Sequence, residues 1–189
     1  MPTTPRRIDY GPDPVQYGLL GLPPARTEGQ GDDGLRSVVV LIHGGFWRAR
    51  YGLDLMTDLA DDLVARGHAV WNIEYRRVGQ PGGGYPGTLD DVAAAMDALG
   101  GLAGEHGLDL ARVAVVGHSA GGHLGLWAAD RPEGVIPAVA VGLAAVVDLA
   151  EAARAHLSDD GRAVSDFLGG GPDEVAEAYR AAQPGLDGD

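Results

Sequence analysis

The run Gly117-His118-Ser119-Ala120-Gly121 constrains this chain more than any other feature. It fits the pattern G-x-S-x-G and lies between the apolar stretch Val113–Val116 and a helical stretch, Ala120–Ala129. At such a strand-to-helix junction the serine occupies a sharp, strained turn with its hydroxyl presented at the end of the strand. Residues two before and two after it must then lack bulky side chains, and both are glycine. Gly122 lets the following helix approach the strand layer closely. The helix N-terminus adds positive potential beside the hydroxyl. A glycine-rich turn whose serine merely caps a helix is the plainer alternative. The flanking strand and helix favour Ser119 as a nucleophile.

The surrounding pattern supports that context. Ser37–Ile42 is a continuous β-branched run, as expected of a strand buried on both faces of a parallel sheet. Leu53–Arg66 has apolar residues at helical spacing and is ended by Gly67. Ala69–Ile73 is a second strand, Val113–Val116 a third and Pro137–Leu143 a fourth. Thr88 is expected to cap a helix running to about Leu102, with Asp90 and Asp91 in its first turn. Segments 148–156 and 172–182 read as helices, and Arg26–Gly34 as an exposed loop or hairpin tip. Strands alternating with helices predict βαβ units with right-handed crossovers on one mostly parallel sheet.

A second motif, His43-Gly44-Gly45-Phe46-Trp47, directly follows the first strand. A tetrahedral intermediate needs backbone N–H donors around its developing oxyanion, and glycines let a loop present them unobstructed. Gly44, Gly45 and Phe46, with Ala120 after the serine, are the candidate donors. Alternatively the loop is a tight turn with His43 bonded to the local backbone. Ligands of parallel sheets bind at strand carboxyl ends, where both motifs fall.

Composition removes other chemistries. All 14 basic residues are arginine and there is no cysteine. Lysine Schiff bases, phosphate-loop lysines, thiol nucleophiles and thiolate metal sites are therefore excluded. The formal charge of −13 argues against nucleic acid as a partner. No metal-ligand spacing such as H-E-x-x-H occurs, so neither metal nor cofactor is expected. With no signal peptide or long apolar span, a cytoplasmic location without membrane association is the expectation.

The two motifs together, with Asn72-Ile73-Glu74-Tyr75-Arg76 and then Asp90-Asp91, resemble the arylformamidase (kynurenine formamidase)-like and hormone-sensitive-lipase-like esterases of the α/β-hydrolase superfamily. The resemblance covers residues 10–180 or so. It implies an α/β-hydrolase fold in which Ser119 attacks an ester or amide carbonyl. Gly44, Gly45, Phe46 and Ala120 would line the oxyanion hole, and a histidine oriented by a carboxylate would serve as base. His43, Trp47, Tyr75 and His118 are expected around a substrate pocket, with Phe46, Tyr51 and Tyr85 near its mouth. Trp47 fits a pocket or ordinary packing equally, whereas Trp71 fits packing.

In that superfamily the acid and then the histidine follow the serine on later strands. The fold is accordingly expected to be C-terminally incomplete: an N-terminal arm and hairpin over residues 1–36 and a partial catalytic domain over 37–189. Asp148 is expected to cap a helix rather than act as the acid. His156 is expected to be a solvated helical residue, and His123 to lie one turn into the elbow helix. The exposed edge left after the fourth strand implies a second copy of the chain or a completing partner. The reading opposed to an esterase or amidase is a non-catalytic binding or assembly module that keeps both motifs as fold elements.

Overall fold

The computed structural model describes residues 4–24 and 35–185, so the expected loop at Arg26–Gly34 lies outside the described residues. Strands β1 (Arg6–Asp9), β2 (Tyr17–Gly21), β3 (Arg36–Ile42), β4 (Ala69–Ile73), β5 (Leu108–His118) and β6 (Val139–Leu143) form one sheet in the order β1-β2-β4-β3-β5-β6. The four strands from β4 to β6 are mutually parallel. The N-terminal segment is part of this sheet: β1 and β2 pair antiparallel, and β2 pairs antiparallel with β4. This is the mostly parallel α/β sheet expected from the alternation of elements.

Side-chain alternation along β3 splits the core into two layers. Val38, Val40 and Ile42 face α2 (Gly87–His106) and α3 (Ala120–Ala129), where Leu89, Val92, Met96, Leu99 and Leu124 are buried. Val39 and Leu41 face the opposite way, onto Met56, a short 3-10 turn at Leu53–Met56 and α1 (Thr57–Ala65). α4 (Leu149–Arg154), α5 (Ala163–Leu168) and α6 (Ala176–Ala182) pack on the α2–α3 side through Leu149, Phe167 and Tyr179.

Several local expectations need correction. The 148–156 helix is confined to Leu149–Arg154, with Asp148 accepting the Glu151 N–H at 2.8 Å as its cap. The 172–182 helix is confined to Ala176–Ala182, and α5 was not expected. α2 starts at Gly87 and runs on to His106, ended by Gly107 in the left-handed region at φ 60°. Thr88 is buried inside its first turn, where its hydroxyl donates to the Arg76 carbonyl and accepts from the Gly84 amide. It therefore ties the loop after β4 to α2 rather than capping the helix. Asp91 is also buried, held by Arg76 at 2.6 Å and Gln16 at 2.7 Å.

The two sheet faces are unequally covered. The register sets Leu41 beside Val116 and Val116 beside Val141, all on the α1 side. Leu41 is fully buried and Val141 is 40% exposed, with Val139 at 55% and Leu143 at 44%. α1 thus shields β3 and β4, while β6 stands in solvent on that face. No strand pairs with the outer edge of β6 among the described residues. No helix is long and apolar enough to cross a membrane among the described residues.

Candidate active site

Parallel register fixes which residues meet at the strand carboxyl ends. Ile42 is level with Ile73 on β4 and with Gly117 on β5. Just beyond, His43 bonds Glu74 at 2.9 Å, and Gly44 lies against His118 and Ser119.

Ser119 links β5 to α3 with φ 54° and ψ −117°. A side-chain-bearing residue in that region carries about 1–3 kcal/mol of strain, which the surroundings must over-determine. They do so by close packing. A Cβ on Gly117 would lie 2.0 Å from the Gly121 carbonyl oxygen, and one on Gly121 would lie 2.1 Å from the Ile42 carbonyl oxygen. The Ser119 N–H is anchored at 2.8 Å to the carbonyl of Leu143, so the elbow leans directly on β6.

The glycine loop lies against this elbow. A Cβ on Gly44 would sit 2.6 Å from the His118 carbonyl oxygen and 3.1 Å from the Ser119 Cβ. Gly45 has φ +108° with the Tyr51 ring packed on it, and Phe46 and Trp47 also have positive φ, at 56° and 55°. Among the described residues the amides of Gly44, Gly45 and Phe46 donate to no other protein acceptor. Donors left unpaired beside a strained serine have the arrangement that an oxyanion site would require.

Three residues expected around a substrate pocket are instead enclosed. His43, Trp47 and Tyr75 are fully buried, because each is bonded beneath the loop. His43 bonds the carboxylate of Glu74 at 2.9 Å and stacks on Tyr75, whose hydroxyl donates to the His43 carbonyl at 2.8 Å. The Trp47 indole donates to His123 Nδ1 at 3.2 Å and stacks on Phe167. Trp71 packs as expected, its indole donating to the Ala95 carbonyl. His118 is exposed and borders an open groove with Leu55, Met56, Leu59 and Leu143.

His123 is a core residue joining α3 to the His43–Trp47 loop and to α6. Because the indole can only donate, Nδ1 accepts and Nε2 carries the proton, donating to the Ala182 carbonyl at 2.8 Å. Burial pushes its pKa down to about 4, only partly offset by the Ala182 bond. Glu74 is opposed by burial, yet the His43 bond and charge, then Arg77, hold its carboxyl below the usual range. Glu74 also accepts from the Leu53 and Tyr75 amides. The roles of Glu74, Arg77 and Phe167 were not foreseen. The signal for Glu74 was a charged residue directly ending a wholly buried strand.

No histidine or carboxylate is hydrogen-bonded to the Ser119 hydroxyl among the described residues. Asp148 is occupied as a helix cap, and His156 is exposed beside Gly161. No cluster of three metal-ligating side chains occurs among the described residues.

Residues 28–185 match the BD-FAE family. A 93-residue stretch is 42% identical to carboxylesterase NlhH of Mycobacterium tuberculosis, covering 46% of this chain and 27% of that protein. The structure superposes on a bacterial heroin esterase with a TM-score of 0.70 at 25% identity, covering 100% of this chain and 61% of the esterase. On esterase 2 of Thermogutta terrifontis phosphonylated by sarin the TM-score is 0.74 at 20% identity, with 95% and 66% covered. This chain thus spans about a quarter of the curated relative and under two thirds of these esterase structures. With its mostly parallel sheet and elbow at the end of β5, the chain belongs to the BD-FAE family and has the α/β-hydrolase fold.

Proposed function

We propose that this chain carries the nucleophile and oxyanion site of a serine hydrolase acting on carboxylic esters or amides, of the esterase and arylformamidase type. One observation carries the reading: strained Ser119 abuts a loop whose Gly44, Gly45 and Phe46 amides have no other acceptor among the described residues. In this reading the Ser119 oxygen attacks the carbonyl carbon, and the carbonyl oxygen becomes an oxyanion held by those amides and that of Ala120. Collapse of the tetrahedral intermediate expels the alcohol or amine. Water then releases the acid from the acyl-serine. Phe46 and His118, at the surface of the site, are proposed to contact substrate. The chemistry needs no cofactor.

The serine proton must pass to a base. We assign that base to polypeptide laid along β6, whether continuous with this chain or supplied by a partner. Two observations support this. Over a third of each of the two esterases lies outside the superposition, and β6 is exposed on one face and bonded to the Ser119 amide. The competing reading, a non-catalytic module, draws on the absence of a base at Ser119 among the described residues.

A panel of short p-nitrophenyl esters and N-formylkynurenine tests the proposal. Oxyanion stabilisation without a complete triad still yields about 10³-fold acceleration over water. Hydrolysis above the uncatalysed rate that disappears in Ser119→Ala is the expected result. Hydrolysis indifferent to that substitution, or none by the folded protein, would overturn the reading.

A further inference from the structure

His43 has an acceptor at each ring nitrogen. Nδ1 lies 2.7 Å from the Gly44 carbonyl oxygen and Nε2 lies 2.9 Å from the Glu74 carboxylate. A carbonyl oxygen only accepts. The Glu74 carboxylate is itself an acceptor, receiving the Leu53 and Tyr75 amides and facing Arg77 at 3.2 Å. A neutral imidazole would direct one nitrogen lone pair at an oxygen lone pair, inside a site closed to water. With Glu74 held as a carboxylate by the Leu53 and Tyr75 amides and by Arg77, only the imidazolium satisfies both contacts.

We propose that Glu74 holds His43 as a doubly protonated imidazolium, and that this cation positions the oxyanion loop by drawing the Gly44 carbonyl inward. The inference rests on the hydrolase reading above for its consequence, though not for the protonation state itself. The C=O and N–H of a trans peptide point in opposite directions. With the Gly44 carbonyl turned onto His43, the Gly45 N–H is turned away from it, out of the core. The same carboxylate organises the far side of the loop. Arg77, paired with Glu74, donates to the Tyr51 carbonyl, and the Tyr51 ring packs on Gly45. Two cations therefore share the Glu74 carboxylate under the loop.

The groups facing this cluster are few. Tyr75 stacks on the imidazole, and the Tyr10 hydroxyl donates to the Glu74 carbonyl. Asp54 approaches from the 3-10 turn across Gly52, and His118 lies across Gly44. Among these only Asp54 adds negative charge, and it is exposed to solvent.

Nitrogen-15 spectra of the histidine-labelled protein test the proposal directly. They distinguish imidazolium from each neutral tautomer, and His43 is recognised by its contacts to the Tyr75 ring. The expected result at pH 7 is two N–H protons on His43. In Glu74→Gln, His43 should become neutral with its proton kept on Nδ1. His43→Gln should slow phosphonylation of Ser119 by about tenfold or more. A neutral His43 in the unsubstituted protein at pH 7 overturns the proposal, and that measurement needs no variant to fold. An unchanged labelling rate in folded His43→Gln overturns the positioning role. If Ser119 is never labelled in any variant while His43 is doubly protonated, it is the hydrolase reading that fails.

Discussion

The carboxyl ends of β3, β4 and β5 and the neighbouring strand β6 are adjacent, yet they are finished to different standards. At the first, buried side chains such as His43, Glu74, Tyr75, Trp47 and His123 are all bonded, and Cβ positions on Gly44, Gly117 and Gly121 are blocked by backbone. At the second, Val139, Val141 and Leu143 stand in solvent on a strand with no charged residue. The opposite edge of the sheet shows what a managed edge looks like. β1 is four residues long and carries Arg6, Arg7 and Asp9, with Arg7 paired to Asp9 at 3.1 Å. Charge and shortness discourage pairing there, and nothing comparable guards β6. The Ser119 elbow is tightly packed and bonded through its backbone, while the strand beside it is exposed on one face.

The contrast can be broken or sharpened by experiment. The largest effect is expected at the elbow. Gly121→Val would drive a side chain into the Ile42 and His43 carbonyls and should cost about 4 kcal/mol or more by denaturant unfolding. A cost near zero would mean that the elbow is not packed as described. A paired substitution on one sheet face compares the two regions directly. Leu41→Ala should cost about 3 kcal/mol, whereas Val141→Ala should stay within about 0.5 kcal/mol. Equal losses would show that β6 is already covered in solution.

His123 ties the site to acid stability. Its folded pKa of about 4 lies below the ordinary histidine value of 6.5, so the unfolded chain binds the proton first. The stabilisation is present above about pH 6.5 and is lost as pH falls towards 4, by about 3 kcal/mol at most. Protonation would also set a second N–H against the Trp47 indole donor. Unfolding measured across that window should lose most of this slope in His123→Asn; an unchanged slope would place the acid sensitivity elsewhere. The smallest effect is expected at Arg48, which follows the glycine loop and bonds Asp160 at 2.6 Å. Asp160 is half exposed, so Arg48→Ala should cost no more than about 1 kcal/mol, and less at high salt.

Much of this was legible in the residues because sterics writes directly into sequence. The elbow can tolerate only glycine at 117 and 121, and the β-branched run of β3 announces a strand buried on both faces. Other features depend on partners distant in the chain. His43 and Glu74 are 31 residues apart, and their pairing emerges only once the β3–β4 register is known. For the same reason Trp47 could be read as a pocket wall or as packing until Phe167 and His123 enclosed it. β1 escaped notice because Arg-Arg-Ile-Asp has neither alternation nor bulk. Thr88 has the chemistry of a helix cap, but tertiary contacts to Arg76 and Gly84 use its hydroxyl instead. The exposure of β6 was legible only in part: Val-Ala-Val-Gly-Leu reads as a buried strand, and what it lacks among the described residues is a strand on its outer edge.

Ser119 is proposed as a nucleophile facing a preformed oxyanion site. The most direct measurement is the intact mass and peptide map of the folded protein after exposure to a fluorophosphonate. The account predicts a single adduct on Ser119 that disappears in Ser119→Ala. A folded protein that takes up no adduct, or takes it up on another residue regardless of that substitution, would contradict it.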